Sequence, residues 1–202
     1  MFNTKFHTNN YLTVLKVLDL TKRDPTKHLH RKFRGSMATI ESETPWHLRG
    51  NWAPVQTEVT AENLTVEGSI PPQLEGVYIR TGPNPKSGFS PHWFMGDGMV
   101  HGVRLSGGKA EWYRNRFVQT PNITKTRNDS TPDLGDLSNG SGNTHVVAHA
   151  GTILCLEEGH WPWKIDKELN TVGFENYGGS LTTSMTAHPK ICPETGELLA
   201  FS

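Results

Sequence analysis

Two runs of alternating residues, Met99-Val100-His101-Gly102-Val103-Arg104-Leu105 and Ala110-Glu111-Trp112-Tyr113-Arg114-Asn115-Arg116-Phe117, flank Ser106-Gly107-Gly108-Lys109. A Gly-Gly pair between period-2 runs specifies a β-hairpin, because glycine enters left-handed backbone without a Cβ penalty. The layout recurs at Thr144–His149 and Thr152–Leu156 around Ala150-Gly151. Gly76–Thr81 alternates as a strand and is ended by Gly82-Pro83-Asn84-Pro85, since successive prolines cannot donate to a ladder. Leu64–Gly68, Trp161–Asp166 and Val172–Phe174 read as further short strands, and Asn51–Val55 as an extended arm. Thr120–Asn143 is polar and aperiodic, a long loop of the kind that is functional or disordered. With 13 Pro and 20 Gly in 202 residues and no strong helical period, the fold class is all-β. Meanders of short strands fit propeller blades or a sandwich, and no clean internal repeat decides between them.

Charge divides the chain in two. Lys/Arg and Asp/Glu number 20 each, but residues 1–36 hold eight of the basic and two of the acidic residues. The remainder is therefore mildly acidic, which argues against nucleic acid as a partner. Residues 1–36 read as a basic, disordered tail or as sequence ahead of the true start, with a transit peptide as the other option. Residues 37–202 form the body. The tail lacks the apolar core of a secretory signal, so the Asn-X-Ser/Thr triplets at Asn63, Asn122, Asn128 and Asn139 read as chance. Cys155 and Cys192 are too few for a disulfide framework and match no zinc spacing, and no apolar run approaches a membrane span. Gly96-Asp97-Gly98 is a turn whose Asp97 side chain is expected to tie down its own backbone. It is not a phosphate loop, since neither a helix nor Gly-Lys-Ser/Thr follows.

Leu181–Phe201 carries the strongest chemical signal. It reads as a strand, a turn at Pro193-Glu194-Thr195-Gly196, and a second strand from Glu197. Pro189 excludes helical backbone at His188, so the imidazole stands off a strand end, pre-oriented for a ligand. Taken alone, this is also the pattern of an ordinary hairpin with a histidine near its end. His145 and His149 lie four apart, a metal pair on a helix. On a strand that spacing is about 13 Å, too far to share an ion, so both read as structural or surface residues.

Gly76–Pro85, Trp93–His101 and Thr186-Ala187-His188-Pro189-Lys190, with Asn143–Val147 and Leu156–Pro162 between them, resemble the carotenoid cleavage oxygenase family, in order from Leu48 to Ser202. The resemblance implies a partial β-propeller, the N-terminal blades of a seven-bladed one, with an iron (Fe2+) held by four histidines on its axis. It implies O2-dependent cleavage of a double bond in a carotenoid, apocarotenoid or stilbene. His188 matches the first iron-ligating histidine. Glu158 matches a glutamate that hydrogen-bonds a ligand histidine, with Glu157 as the alternative if the alignment slips by one. The other ligands are expected outside this chain, which reads as a fragment with negligible activity of its own. A catalytically inactive scaffold or binding module is the rival reading, and a calcium-dependent propeller hydrolase lacks its acidic cluster here. Trp93, Phe94, Trp161 and Trp163 are candidates for the walls of an apolar substrate tunnel. His101 is expected to pack, while His92 and His160 receive no role. The expected location is cytoplasmic, with peripheral membrane contact left open.

Overall fold

The computed structural model describes residues 3–8, 11–16, 44–124 and 135–202. β1 (Asn3–Thr8) and β2 (Tyr11–Lys16) pair antiparallel within the basic segment; the rest of the expected tail lies outside the described residues. Among the described residues no helix is long and apolar enough to cross a membrane.

The body is built on two four-stranded antiparallel sheets. The first comprises β3 (Thr60–Glu62), β4 (Gly76–Pro83), β5 (Gly98–Ser106) and β6 (Lys109–Phe117), in the order β3-β6-β5-β4. The expected Gly-Gly hairpin is present, Gly107 and Gly108 both taking positive φ (54° and 77°). The short strand expected at Leu64–Gly68 instead lies earlier, at Thr60–Glu62, paired with Trp112–Arg114. Asn63 turns into left-handed backbone and ends it before the apolar residues begin. After β6 a single helical turn, α1 (Pro121–Thr124), opens the long loop.

The second sheet is a plain meander of β7 (His145–His149), β8 (Thr152–Leu156), β9 (Trp163–Ile165) and β10 (Thr171–Phe174). A third unit begins with β11 (Lys190–Ile191) and β12 (Leu198–Leu199), turning through Gly196 at φ 76°. The first strand expected there is thus confined to two residues after Pro189, and Leu181–Ala187 runs irregularly ahead of it.

Alternation along β8 explains how the units stack. Successive side chains of a strand point to opposite faces. Cys155 joins Val100, Val118, Trp163, Ile165 and Leu169 in a core between the two sheets, with Ile153 packed against it. Leu154 and Leu156 join Met185 and Ala187 in a second core toward the third unit. Each fully buried leucine contributes about 1.5–3 kcal/mol. Burial drives the Cys155 thiol up to about 12, so it is a packing group and not a nucleophile.

Close backbone approach seals the first sheet to the loop that feeds β7. A Cβ on Gly98 would lie 2.3 Å from the carbonyl oxygen of Ser141 and 3.0 Å from that of Gly142. Thr81 Oγ1 donates to the Gly142 carbonyl at 3.1 Å beside it. Asn84 holds the N-terminal arm at both polar groups of Val55, accepting from its N–H (2.7 Å) and donating to its C=O (2.8 Å). Asn115 does similar work further along, accepting from Val59 N–H and donating to the Thr57 carbonyl. Asp97 does not bind its own turn: Oδ2 accepts from the N–H of Lys86, joining two loops.

Two predictions follow from this packing. Gly98→Ala should lower the unfolding free energy by about 1–3 kcal/mol in urea titration, since backbone carbonyls cannot move aside as a side chain would. Burial, reinforced by the charge of Arg80, lowers His101 to about 3; its Nδ1 lies 2.8 Å from the Tyr113 hydroxyl. The unfolded chain therefore takes up a proton near the ordinary imidazole value that the folded chain refuses. Stability from this group is complete above about pH 6.5 and is lost as pH falls toward 3. His101→Gln should remove close to one proton of uptake on unfolding in that window, measured from stability against pH.

Candidate metal centre

β8 ends at Leu156, and its alternation continues through the next two residues. Glu157 follows the Ile153/Cys155 face and Glu158 the Leu154/Leu156 face. The two carboxylates therefore diverge.

Glu157 turns back on its own loop. Oε1 accepts from the N–H of Gly159 at 2.9 Å and pairs with His160 Nδ1; Oε2 is 3.5 Å from the Ser141 hydroxyl. His160 is buried, and a Cβ on Gly140 would lie 2.6 Å from its Cβ. This pair clamps the loop ahead of β7 against the β8–β9 turn. Nothing in the sequence marked His160, because its partner is set by a turn rather than by a spacing.

Glu158 reaches the third unit. Oε2 accepts from the Ala187 N–H at 3.0 Å and the Thr186 hydroxyl at 3.2 Å, while Oε1 lies 3.0 Å from His188 Nε2. His188 sits between buried Ala187 and Pro189, and its N–H donates to Thr186 Oγ1 at 3.2 Å. The side chains of His188 and Glu158 are 64% and 55% exposed. Such a pair adds at most about 1 kcal/mol to stability, so its consequence is orientation.

His145 and His149 share one face of β7, and neither is a surface residue in isolation. His145 Nδ1 donates to the Ala187 carbonyl (2.8 Å) and His149 Nε2 to that of Gly196 (2.8 Å). The His145 ring also stacks on that of His188, with centroids 6.3 Å apart and planes at 23°. Spacing along one strand could not show this, since the partner lies 43 positions away.

The four aromatic candidates do not form one wall. Trp163 fills the core and donates from Nε1 to the Gly140 carbonyl, and Trp161 stacks on Phe174. Trp93 and Phe94 stack together on the surface beside Trp46 and Trp52. An open groove of about 580 Å³, lined by His149, Tyr177, Leu181, Met185, Leu199 and Phe201, includes neither His188 nor Glu158.

An imidazole with a carboxylate 3.0 Å from one ring nitrogen is an arrangement that metal-ligating histidines share. It fits Fe2+, for which imidazole is a suitable ligand. Among the described residues no group of three or more His, Cys, Asp or Glu could hold a metal.

Residues 52–202 match the family described as RPE65, retinal pigment epithelial membrane protein. The chain is 47% identical over 171 residues to a carotenoid cleavage oxygenase of Mycobacterium tuberculosis, covering 80% of this chain and 34% of that protein. It is 35% identical over 224 residues to carotenoid 9,10(9',10')-cleavage dioxygenase 1 of Arabidopsis thaliana, covering 92% and 39%. Among solved structures, lignostilbene dioxygenase of Pseudomonas brassicacearum superposes with a TM-score of 0.68 at 32% identity, over 79% of this chain and 37% of that one. The chain belongs to the RPE65/carotenoid cleavage oxygenase family, and its sheets are blades of that family's β-propeller. It spans a little over a third of the length of these relatives.

The two carboxylates should separate in a stability measurement. Glu157→Ala strands buried His160 and should cost about 2–3 kcal/mol, whereas Glu158→Ala should cost less than about 1 kcal/mol. Urea midpoints of the two variants check this.

Proposed function

We propose that this chain supplies the first histidine ligand of a non-haem iron(II) dioxygenase. The reaction splits a carbon–carbon double bond of a carotenoid, apocarotenoid or stilbene with O2, each alkene carbon taking one oxygen atom to give two carbonyl products. The observation that carries the reading is the contact between His188 and Glu158 within the family's sequence frame.

Each residue has a definite task. Pro189 keeps the His188 backbone extended, and Glu158 sets its carboxylate 3.0 Å from the ring's Nε2. The Glu158 charge offsets part of the metal's +2, which neutral imidazoles leave uncompensated. Bound iron(II) would supply binding and activation of O2 at its open positions.

The remaining ligands lie outside these residues on this reading, so the 202-residue chain is expected to bind iron weakly and to turn over negligibly. The rival, an inactive propeller scaffold or binding module, is favoured by that same incomplete donor set. Calorimetric titration of the chain with Co2+ as a stable surrogate separates the two. His188→Ala should weaken binding by about tenfold or more while His149→Ala leaves it unchanged. Equal affinity of wild type and His188→Ala would favour the scaffold, and tight stoichiometric iron binding would contradict a partial ligand set.

A further inference from the structure

We infer that His145 is a positioning residue that sets the orientation of His188, completing a two-sided grip on the peptide unit ahead of it. The inference takes its functional meaning from the reading of His188 as a metal ligand, but its geometry stands independently.

Both polar groups of Ala187 are taken by side chains carried on one ladder. Glu158, just past the end of β8, accepts the Ala187 N–H at 3.0 Å. His145, at the start of β7, donates Nδ1–H to the Ala187 carbonyl at 2.8 Å. The ladder places them together, since His145 is the register partner of Leu156, two residues before Glu158. Ala187 is fully buried, so neither group could exchange its partner for water without exposing the second core. With Ala187 fixed at both ends and Pro189 restricting the backbone behind, His188 leaves the chain in one direction.

The ring of His145 then limits the remaining freedom. A stacked neighbour at 6.3 Å and 23° resists rotation of the His188 imidazole about χ2. A carbonyl only accepts, so Nδ1 of His145 carries its proton and Nε2 its lone pair. His149 offers a control within the same strand, because it donates to Gly196 and has no stacking contact with His188.

The test uses the metal-free 202-residue chain, with the position of the His188 ring read from nuclear Overhauser contacts of its ring protons with the residue 145 ring and the Ala187 methyl group. Wild type should show one fixed set of contacts, with the His188 ring against that of His145. His145→Phe keeps a ring and loses the donor, and should weaken these contacts at least twofold while β7–β8 amide shifts remain those of a folded sheet. His145→Asn places an amide donor near the position of Nδ1 and should restore most of the His188–Ala187 contacts. His149→Phe should leave His188 unchanged. Unaltered His188 contacts in folded His145→Phe overturn the inference, as does an equal change in His149→Phe. Because no metal is present, failure of His188→Ala to weaken Co2+ binding would sink the metal reading and leave this measurement standing. Where both hold, His145→Phe should also lower Co2+ affinity by about tenfold.

Discussion

β8 is apolar on both faces, and that double burial organises everything around it. A strand buried on one face can belong to a sandwich. One buried on both must lie between two layers, and Leu154 and Leu156 face a different core from Ile153 and Cys155. The same alternation, carried past the strand end, sends Glu157 back to the loop below and Glu158 out to His188. The approach of Glu158 to His188 is thus a continuation of core packing rather than a separate device.

Side-chain amides and carboxylates supply what strand pairing leaves undone. Asn84 and Asn115 satisfy the backbone of the arm where no ladder continues, and Asn143 donates to the carbonyls of Phe94 and Gly96. Each is buried and meets its hydrogen-bonding needs in the backbone of another segment. Glu158 applies the same principle at the third unit, but with a charge that also bears on the imidazole it holds.

Hairpins were legible in the sequence because their turns and both partners are adjacent: Gly107-Gly108 and Ala150-Gly151 announce the pairings they make. β3 was not, since Thr60-Ala61-Glu62 has no apolar alternation and its partner lies some fifty residues on, at Trp112–Arg114. The family motifs drew attention to His188 and Glu158, and the structure sets the two side chains 3.0 Å apart. The part played by His145 was invisible, because the relevant neighbour is across the fold and strand spacing compares a histidine only with its own strand. Trp163 was mistaken for a wall candidate because burial in a core and exposure to a tunnel favour the same aromatic residues.

The surface tryptophans have an optical consequence. Trp46 and Trp52 ride on the arm, Trp93 on the loop before β5, and the three indoles meet edge to face with centroids 5.1–6.1 Å apart. Exciton coupling between indoles at that range falls in their strong bands near the far-ultraviolet, so a circular dichroism signal there would belong to the docked arm and not to any single ring. Peeling the arm away would erase that signal while both sheets stayed intact, giving the molecule a built-in reporter on the attachment that Asn84 and Asn115 maintain.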